Sequence, residues 1–229
     1  IEAHICAVHL HDDQREAINL KPPYVALAVS GGHTALYLVK NGRDITMIGH
    51  TLDDAAGEAF DKVAKMLGLG YPGGKAIDDL AKRGNPNAID FPRAWLPGRR
   101  NAFSFSGLKT SVRTYLRKHE PKTPKEFEDI AASFQAAVVH VLVKKTVRAA
   151  DEAGVNSIVI GGGVAANSHL RSEMKRAAAR KRLRVYPVPV RYCSDNAAMI
   201  AGLGAIRLAQ GLEDDPMNFD ADISTPMGL

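Results

Sequence analysis

With 229 residues, 45% of them hydrophobic and 24% charged, the chain has ordinary globular composition, which excludes a disordered or fibrous protein. Thirty Lys and Arg against 25 Asp and Glu leave a net charge of +5, which permits an anionic partner without naming one. Two distant cysteines, Cys6 and Cys193, exclude a disulfide framework and point to a reducing compartment, and the apolar runs are strand-sized, so no membrane span is expected. The opening IEAHICAVHL has no Met and already reads as helix, as expected of an internal piece of a longer protein without a secretory signal.

Ile1–Leu10 reads as the end of a helix, with Ile1, Ile5, Val8 and Leu10 on one side. Residues 12–23 are polar and end in Pro-Pro, a surface loop. Strands are predicted at Tyr24–Ser30, Thr34–Lys40 and Asp44–Gly49, parted by Gly31-Gly32 and by the hairpin pair Asn41-Gly42, which together give an antiparallel meander. Thr51 followed by Asp54 marks a helix start, and Ala55, Ala56, Ala59, Phe60, Val63 and Leu67 carry its apolar stripe to Gly68. From Tyr71 to Lys122 the pattern is less regular, with YPGG, a short helix at Lys75–Arg83, a loop of Pro, Arg and aromatics, and then FSFSGLKTSVRTYLRK.

Thr123-Pro124-Lys125-Glu126 is a capping box with proline in the first turn. It opens a long helix striped by Phe127, Ile130, Phe134, Val138, Val141 and Leu142. The last third alternates strand Asn156–Ile160, a triple-glycine turn, helix Asn167–Arg180, strand Arg184–Pro187 and helix Asn196–Gln210, before an acidic tail from Gly211. The class is α/β. Glycines at the ends of strands predict a nucleotide-cleft fold rather than a Rossmann domain, with Gly31 and Gly161 bordering one cleft.

Each chemical motif has a plain structural alternative. SGGHT at Ser30–Thr34 offers backbone N–H groups and two hydroxyls to a phosphate, or is an ordinary hairpin turn. GGGVAAN at Gly161–Asn167 places glycines before a helix N-terminus, a generic anion site, but lacks the spacing of a dinucleotide fold or a P-loop. Asn167 is a candidate for holding a base, ribose or phosphate edge. Asp61, in GEAFD, and Asp78, after Gly73-Gly74, are ligand-facing carboxylates or solvated helix faces. Asp195, in CSDN, is a ligand group or a helix cap, and Ser194 could cap as well. Eight scattered histidines form no pair with metal spacing.

Basic residues cluster twice. Arg93 to Lys118 holds seven and no acid, interleaved with Trp95, Phe103 and Phe105, the mixture RNA binding uses. Arg93, Arg99, Arg100, Lys109 and Arg113 are the candidate RNA contacts there. Arg171 to Arg184 holds seven more beside Glu173, and reads equally as the solvated face of a helix that buries Leu170, Met174 and Ala178.

IEAH, VSGGHT, DDAAGEAFDKVAKMLGLGYPGG, FSFSGLKT, GGGVAAN and SDNAAMIA, in that order, resemble the tRNA threonylcarbamoyladenosine transferases of bacterial or organellar type, formerly described as O-sialoglycoprotein endopeptidases. The resemblance runs from residue 1 to about 210. It implies an actin-like fold of the sugar kinase and Hsp70 type, with the end of the N-terminal lobe in 1–23 and the C-terminal lobe in 24–210. An inserted helical and basic region would occupy 71–122, and the acidic tail 211–229.

The implied activity is transfer of threonylcarbamoyl from its adenylate to N6 of adenosine 37, in tRNAs reading codons that begin with A. The resemblance implies one divalent metal, iron before zinc, on His4 and Asp195, with a further histidine of an HxxxH pair upstream of Ile1. Threonylcarbamoyl-AMP or an ATP-like nucleotide would meet Ala28, Val29, Ser30, Gly31, Gly32, Asp61, Gly74, Asp78 and Asn167. Archaeal relatives place a tyrosine ligand where this chain has Ala28, so water or substrate would replace it. The implied partners are tRNA, a non-catalytic paralogous subunit and a small ATPase, with no membrane; the implied location is the cytoplasm, or else the mitochondrial matrix. No residue stands out as a general base.

Two rival classes fare worse. A zinc protease requires HExxH, which is absent. A non-catalytic nucleotide- or partner-binding lobe is expected to lack the metal residues, yet His4 and Asp195 are both present.

Overall fold

Glycine- and asparagine-parted runs of β-branched and aliphatic residues pair with their nearest neighbours in sequence, as short loops favour. The computed structural model describes residues 1–10, 18, 20–41 and 44–212. Strands β1 (Tyr24–Val29), β2 (Thr34–Val39) and β3 (Ile45–His50) form the expected meander, with Leu27 opposite Leu36 and Val29 opposite Thr34. On its other side β1 pairs in parallel with β4 (Ser157–Gly161), and β4 in parallel with β5 (Arg184–Pro187). The sheet order is β3-β2-β1-β4-β5. All six residues of β1 are buried, as a continuous apolar run at the centre of a covered sheet requires.

The helices are α1 (Glu2–Cys6), α2 (Ala56–Met66), α3 (Gly73–Ala81), α4 (Ser106–Lys118), α5 (Pro124–Glu152), α6 (Ser168–Ala179) and α7 (Ala197–Ala209). Helix α5 begins with the expected reciprocal Thr123–Glu126 capping box. It is long and apolar enough to cross a membrane by composition, but 83% of its most apolar stretch is buried within this fold, so it is a core helix. Phe134 meets Phe60 of α2 edge to face at 5.3 Å. Helix α6, which links the parallel strands β4 and β5, buries Leu170, Met174 and Ala178.

Several expectations are corrected. The opening helix is shorter, giving way to a 3-10 turn at Ala7–His9. The Thr51–Asp54 start is not used: α2 begins at Ala56, whose N–H donates to the Thr34 hydroxyl at 2.9 Å, while the Thr51 hydroxyl donates to the Asp54 carbonyl. Helix α4 is a 13-residue element in the stretch that lacked clear periodicity. Its cap is remote, since Asp53 accepts from the Phe105 and Ser106 N–H groups and from the Ser104 and Ser106 hydroxyls. Phe103 and Phe105 are core residues stacked at 6.3 Å, so neither is free to stack on a base. Gly42, most of the 12–23 loop and the acidic tail from residue 213 lie outside the described residues.

Candidate functional site

Strands β1 and β4 end side by side, and the loops that follow them meet there, the usual place for a ligand in such sheets. Ala28 sits opposite Gly161 in the parallel register. A Cβ on Gly162 would stand 2.4 Å from the Val29 carbonyl, and one on Gly161 would stand 2.4 Å from the His4 carbonyl. Only glycine permits that approach, and Gly162 also has φ +94°. The glycine loop is thereby pressed between β1 and α1.

Helix N-termini complete the ledge. The Gly57 N–H, in the first turn of α2, donates to the Ser30 carbonyl at 3.2 Å. One turn on, Asp61 Oδ1 accepts the Gly73 N–H at 2.8 Å and pins the start of α3. Asp78 accepts from both the N–H and the hydroxyl of Ser168, at the start of α6. Helix α7 starts just after Asp195. Gly31, Gly32, Gly74 and Gly163 face open space: a methyl group on any of them would meet nothing within 4 Å. Partial positive charge from several helix ends beside bare glycine backbone suits an anion.

Many of the expected ligand residues serve the scaffold directly. Ala28 and Val29 are core side chains. The Ser30 hydroxyl accepts the His33 N–H within the hairpin, and Thr34 is buried as the remote cap of α2. Asn167 caps α6 by accepting the Leu170 N–H, and its amide donates to Gln135 Oε1 at 2.7 Å. Through these bonds Asp61, Asp78 and Asn167 fix the helix starts that surround the open glycines.

His4 and Asp195 come together from opposite ends of the chain. His4 Nε2 lies 3.1 Å from Asp195 Oδ1, with the imidazole buried and the carboxylate side chain 91% exposed. Burial is the largest influence on His4 and lowers its pKa, which favours neutral imidazole; Asp195 opposes this, and the nearby His33 acts in the same sense as burial. His4 Nδ1 is buried without a hydrogen-bond partner among the described residues. Asp195 does not cap α7, and neither does Ser194: Asn196 accepts the Met199 N–H in that role.

At 3.1 Å the two side chains make a hydrogen bond, and the same separation is also compatible with two ligands of one divalent ion, each about 2.1 Å from it. A neutral imidazole and a carboxylate suit a borderline ion such as iron or zinc. They make two donors of a site, since no group of three such side chains occurs among the described residues.

The basic residues divide. Lys109 is held by Asp54 at 2.5 Å, Arg93 by Asp90 at 3.6 Å and Arg100 by Glu152 at 3.4 Å. Arg99 and Arg113 are exposed. Trp95 is half-exposed, with Lys145 Nζ 5.4 Å and the Arg148 guanidinium 5.9 Å from its ring. Arg171 belongs by sequence to a basic run that faces solvent, but its side chain turns inward to buried carbonyls, a role that the run does not signal.

The family model for tRNA N6-adenosine threonylcarbamoyltransferase matches residues 1–202. The chain belongs to the tRNA N6-adenosine threonylcarbamoyltransferase family. It is 52% identical over 198 residues to the member from Thermosipho africanus, covering 86% of this chain and 59% of that protein. It is 50% identical to the member from Geobacter sulfurreducens, covering all of this chain and 65% of that protein. The chain thus spans about three fifths to two thirds of the length of these threonylcarbamoyltransferases. Among solved structures, full-length HypF in its phosphate- and nucleotide-bound form superposes with a TM-score of 0.70 at 16% identity, over 93% of this chain and 36% of HypF. HypF from T. kodakarensis gives 0.63 at 17% identity, over 91% of this chain and 36% of its own. These neighbours share the fold of this chain, which with the family membership is of the actin-like type.

Proposed function

We propose that the protein containing this chain transfers the threonylcarbamoyl group from threonylcarbamoyl-AMP to N6 of adenosine 37 in tRNAs reading codons that begin with A. The observation that carries this reading is the His4–Asp195 pair, 3.1 Å apart, at the rim of a ledge built from glycine loops and helix N-termini. Family membership supports the reaction class, and the open glycines of the ledge support the reading of it as the adenylate site.

The acceptor is an exocyclic amine conjugated with its ring, a poor nucleophile. The donor is an acyl phosphate with AMP as leaving group. The amine lone pair forms the new C–N bond at the carbamoyl carbon, the C–O bond to phosphate breaks, and AMP leaves with that electron pair while N6 loses a proton. Negative charge therefore gathers on the phosphate, where prearranged donors count most. Backbone N–H groups of the Gly31-Gly32 turn and the Gly161–Gly163 loop serve there, while α2 and α6, whose N–H groups at Ala56, Gly57, Ser168 and Leu170 are already held within the protein, contribute only through their dipoles. Asp61 and Asp78 act by fixing the starts of α3 and α6. A divalent ion held by His4 and Asp195, iron in preference to zinc, would supply additional positive charge at the phosphate.

The partners proposed with this reading are tRNA, a non-catalytic paralogous subunit and a small ATPase, in the cytoplasm. The test is incubation of the full-length enzyme with synthetic threonylcarbamoyl-AMP and an unmodified A-decoding tRNA, with nucleoside analysis of the product. Modified adenosine 37 is expected; its absence with every partner subunit supplied overturns the proposal.

A further inference from the structure

Arg171 occupies the N-terminal part of α6, where a cation faces the positive end of the helix dipole and is disfavoured. Its guanidinium turns inward instead of reaching solvent. Nε donates to the Ala165 carbonyl at 2.6 Å, and Nη2 donates to the Val188 carbonyl at 2.6 Å and lies 3.2 Å from Cys193 Sγ.

These acceptors belong to two different loops. Ala165 lies in the 3-10 turn Gly163–Ala166 of the glycine loop, two residues before Asn167. Val188 and Cys193 bracket the segment that leaves β5, and Cys193 stands two residues before Asp195. Cys193 is itself buried, with Sγ 3.5 Å from the Val188 carbonyl and 3.6 Å from that of Pro189. Asp195 is exposed and is not the cap of α7; its neighbour Asn196 anchors the C-terminal end of this segment through α7 and the Tyr192 and Ser194 carbonyls, and Arg171 anchors the end that leaves β5. A planar fork can serve acceptors on two loops at once; a lysine ammonium on a flexible stem holds no such fixed geometry.

We propose that Arg171 is a positioning residue for the transfer reaction, its guanidinium fixing the glycine loop relative to Asp195 so that both address the same phosphate. This rests on the reading of the ledge as the adenylate site. Arg171 itself touches no substrate.

The test uses full-length enzyme carrying Arg171→Ala, Arg171→Lys or, as control, Arg176→Ala, an exposed side chain paired with Glu173 on the same helix. Amide hydrogen exchange is measured together with Zn²⁺ affinity and steady-state transfer kinetics. In Arg171→Ala, exchange should accelerate in 163–167 and 188–195 together, with β1 and α5 unchanged. Through displacement of the two loops kcat should fall by up to about 100-fold, as a misplacement of about 1 Å can produce, and Zn²⁺ affinity should fall with it, with KM for tRNA unchanged. Arg171→Lys should fall between, and Arg176→Ala should match wild type.

Acceleration in only one loop, or equally across the fold, overturns the proposal. So does a loss of thermal stability with Zn²⁺ affinity and kcat unchanged. Should Arg171→Ala fail to fold, Arg171→Lys is measured in the same way and decides on the same outcomes. A wild-type enzyme that neither binds metal nor transfers sinks the transferase reading instead, and the exchange pattern still decides whether Arg171 ties the two loops.

Discussion

Asp78 and Ser168, 90 positions apart, are joined twice: Asp78 Oδ2 accepts the Ser168 N–H at 3.1 Å and Oδ1 accepts its hydroxyl at 2.9 Å. The pair ties α3 to the start of α6, beside the glycine loop. Removing the carboxylate deletes both bonds, and because Ser168 is exposed its N–H and hydroxyl can turn to water, so the cost is about 0.5–1.5 kcal/mol. Asp78→Ala should lower the urea midpoint accordingly with the slope unchanged, and Asp78→Asn, which keeps one acceptor, should lose less. An unshifted midpoint in Asp78→Ala would show that this tie contributes nothing.

Docking of α4 should weaken in acid. For Asp53, burial raises the carboxyl pKa, but bonds from Ser104, Phe105 and Ser106 outweigh it and leave the pKa below its ordinary value. For Asp54, burial is likewise outweighed by Lys109 and Lys62. A carboxylate whose pKa is lowered by folding stabilises the fold above its unfolded pKa, about 3.9, and that contribution disappears as pH falls through the folded value. Stability measured by denaturant between pH 6 and pH 2 should therefore fall below about pH 4, and Asp53→Asn should flatten that fall. An unchanged pH profile in Asp53→Asn would assign the acid loss elsewhere.

The distinction between local and remote partners explains what the sequence makes legible. Each of the five strands can be read to within one residue, as can the Thr123–Glu126 box, because alternation, hairpin glycines and caps act over a few positions. The remote caps cannot: Thr34 serves Ala56 and Asp53 serves α4, both through chain reversals that no local pattern encodes. Asn167 reads as a ligand group although an Asn immediately before a helix is also a capping signal, and the structure uses it so. Arg171 adjoins Leu170 in a basic run, and helical period alone does not reveal that a long side chain bends back toward buried carbonyls.

Two glycines separate scaffold from ligand surface. A methyl on Gly57 would lie 2.4 Å from the Ser30 carbonyl, so Gly57→Ala should destabilise the fold by about 1–3 kcal/mol, as overpacking does. Gly31 has open space and no positive φ, so Gly31→Ala should hold or slightly raise stability. The same methyl stands on the ledge and should weaken adenylate binding by a readily measured margin in calorimetry. Wild-type affinity in Gly31→Ala would remove the hairpin from the proposed site.

Among the candidate tRNA contacts, Arg99 and Arg113 are exposed, whereas Lys109 is held by Asp54. If Arg99 and Arg113 neutralise phosphates, replacing both with alanine should weaken tRNA binding and reduce the slope of log affinity against log salt by about two. Lys109→Ala should act mainly on stability. Unchanged affinity and slope in the double variant would place the tRNA elsewhere.

Asp195 offers the sharpest separation of chemistry from folding. Its side chain is 91% exposed, and Asn196 rather than Asp195 caps α7, so the fold depends on it chiefly through the 3.1 Å contact with His4. Asp195→Ala should leave the melting temperature of the full-length enzyme within about 2 °C, a surface-sized effect. Yet the carboxylate lies 3.1 Å from the neutral-favoured His4, where the proposed ion needs both donors, and transfer to tRNA should be lost. His4→Ala is the less clean variant, because the imidazole is buried and its loss leaves a cavity. Metal content by elemental analysis should fall in both variants, whereas only His4→Ala should also lose stability. Wild-type transfer in Asp195→Ala would end the role proposed for this pair and leave the carboxylate only its contact with His4.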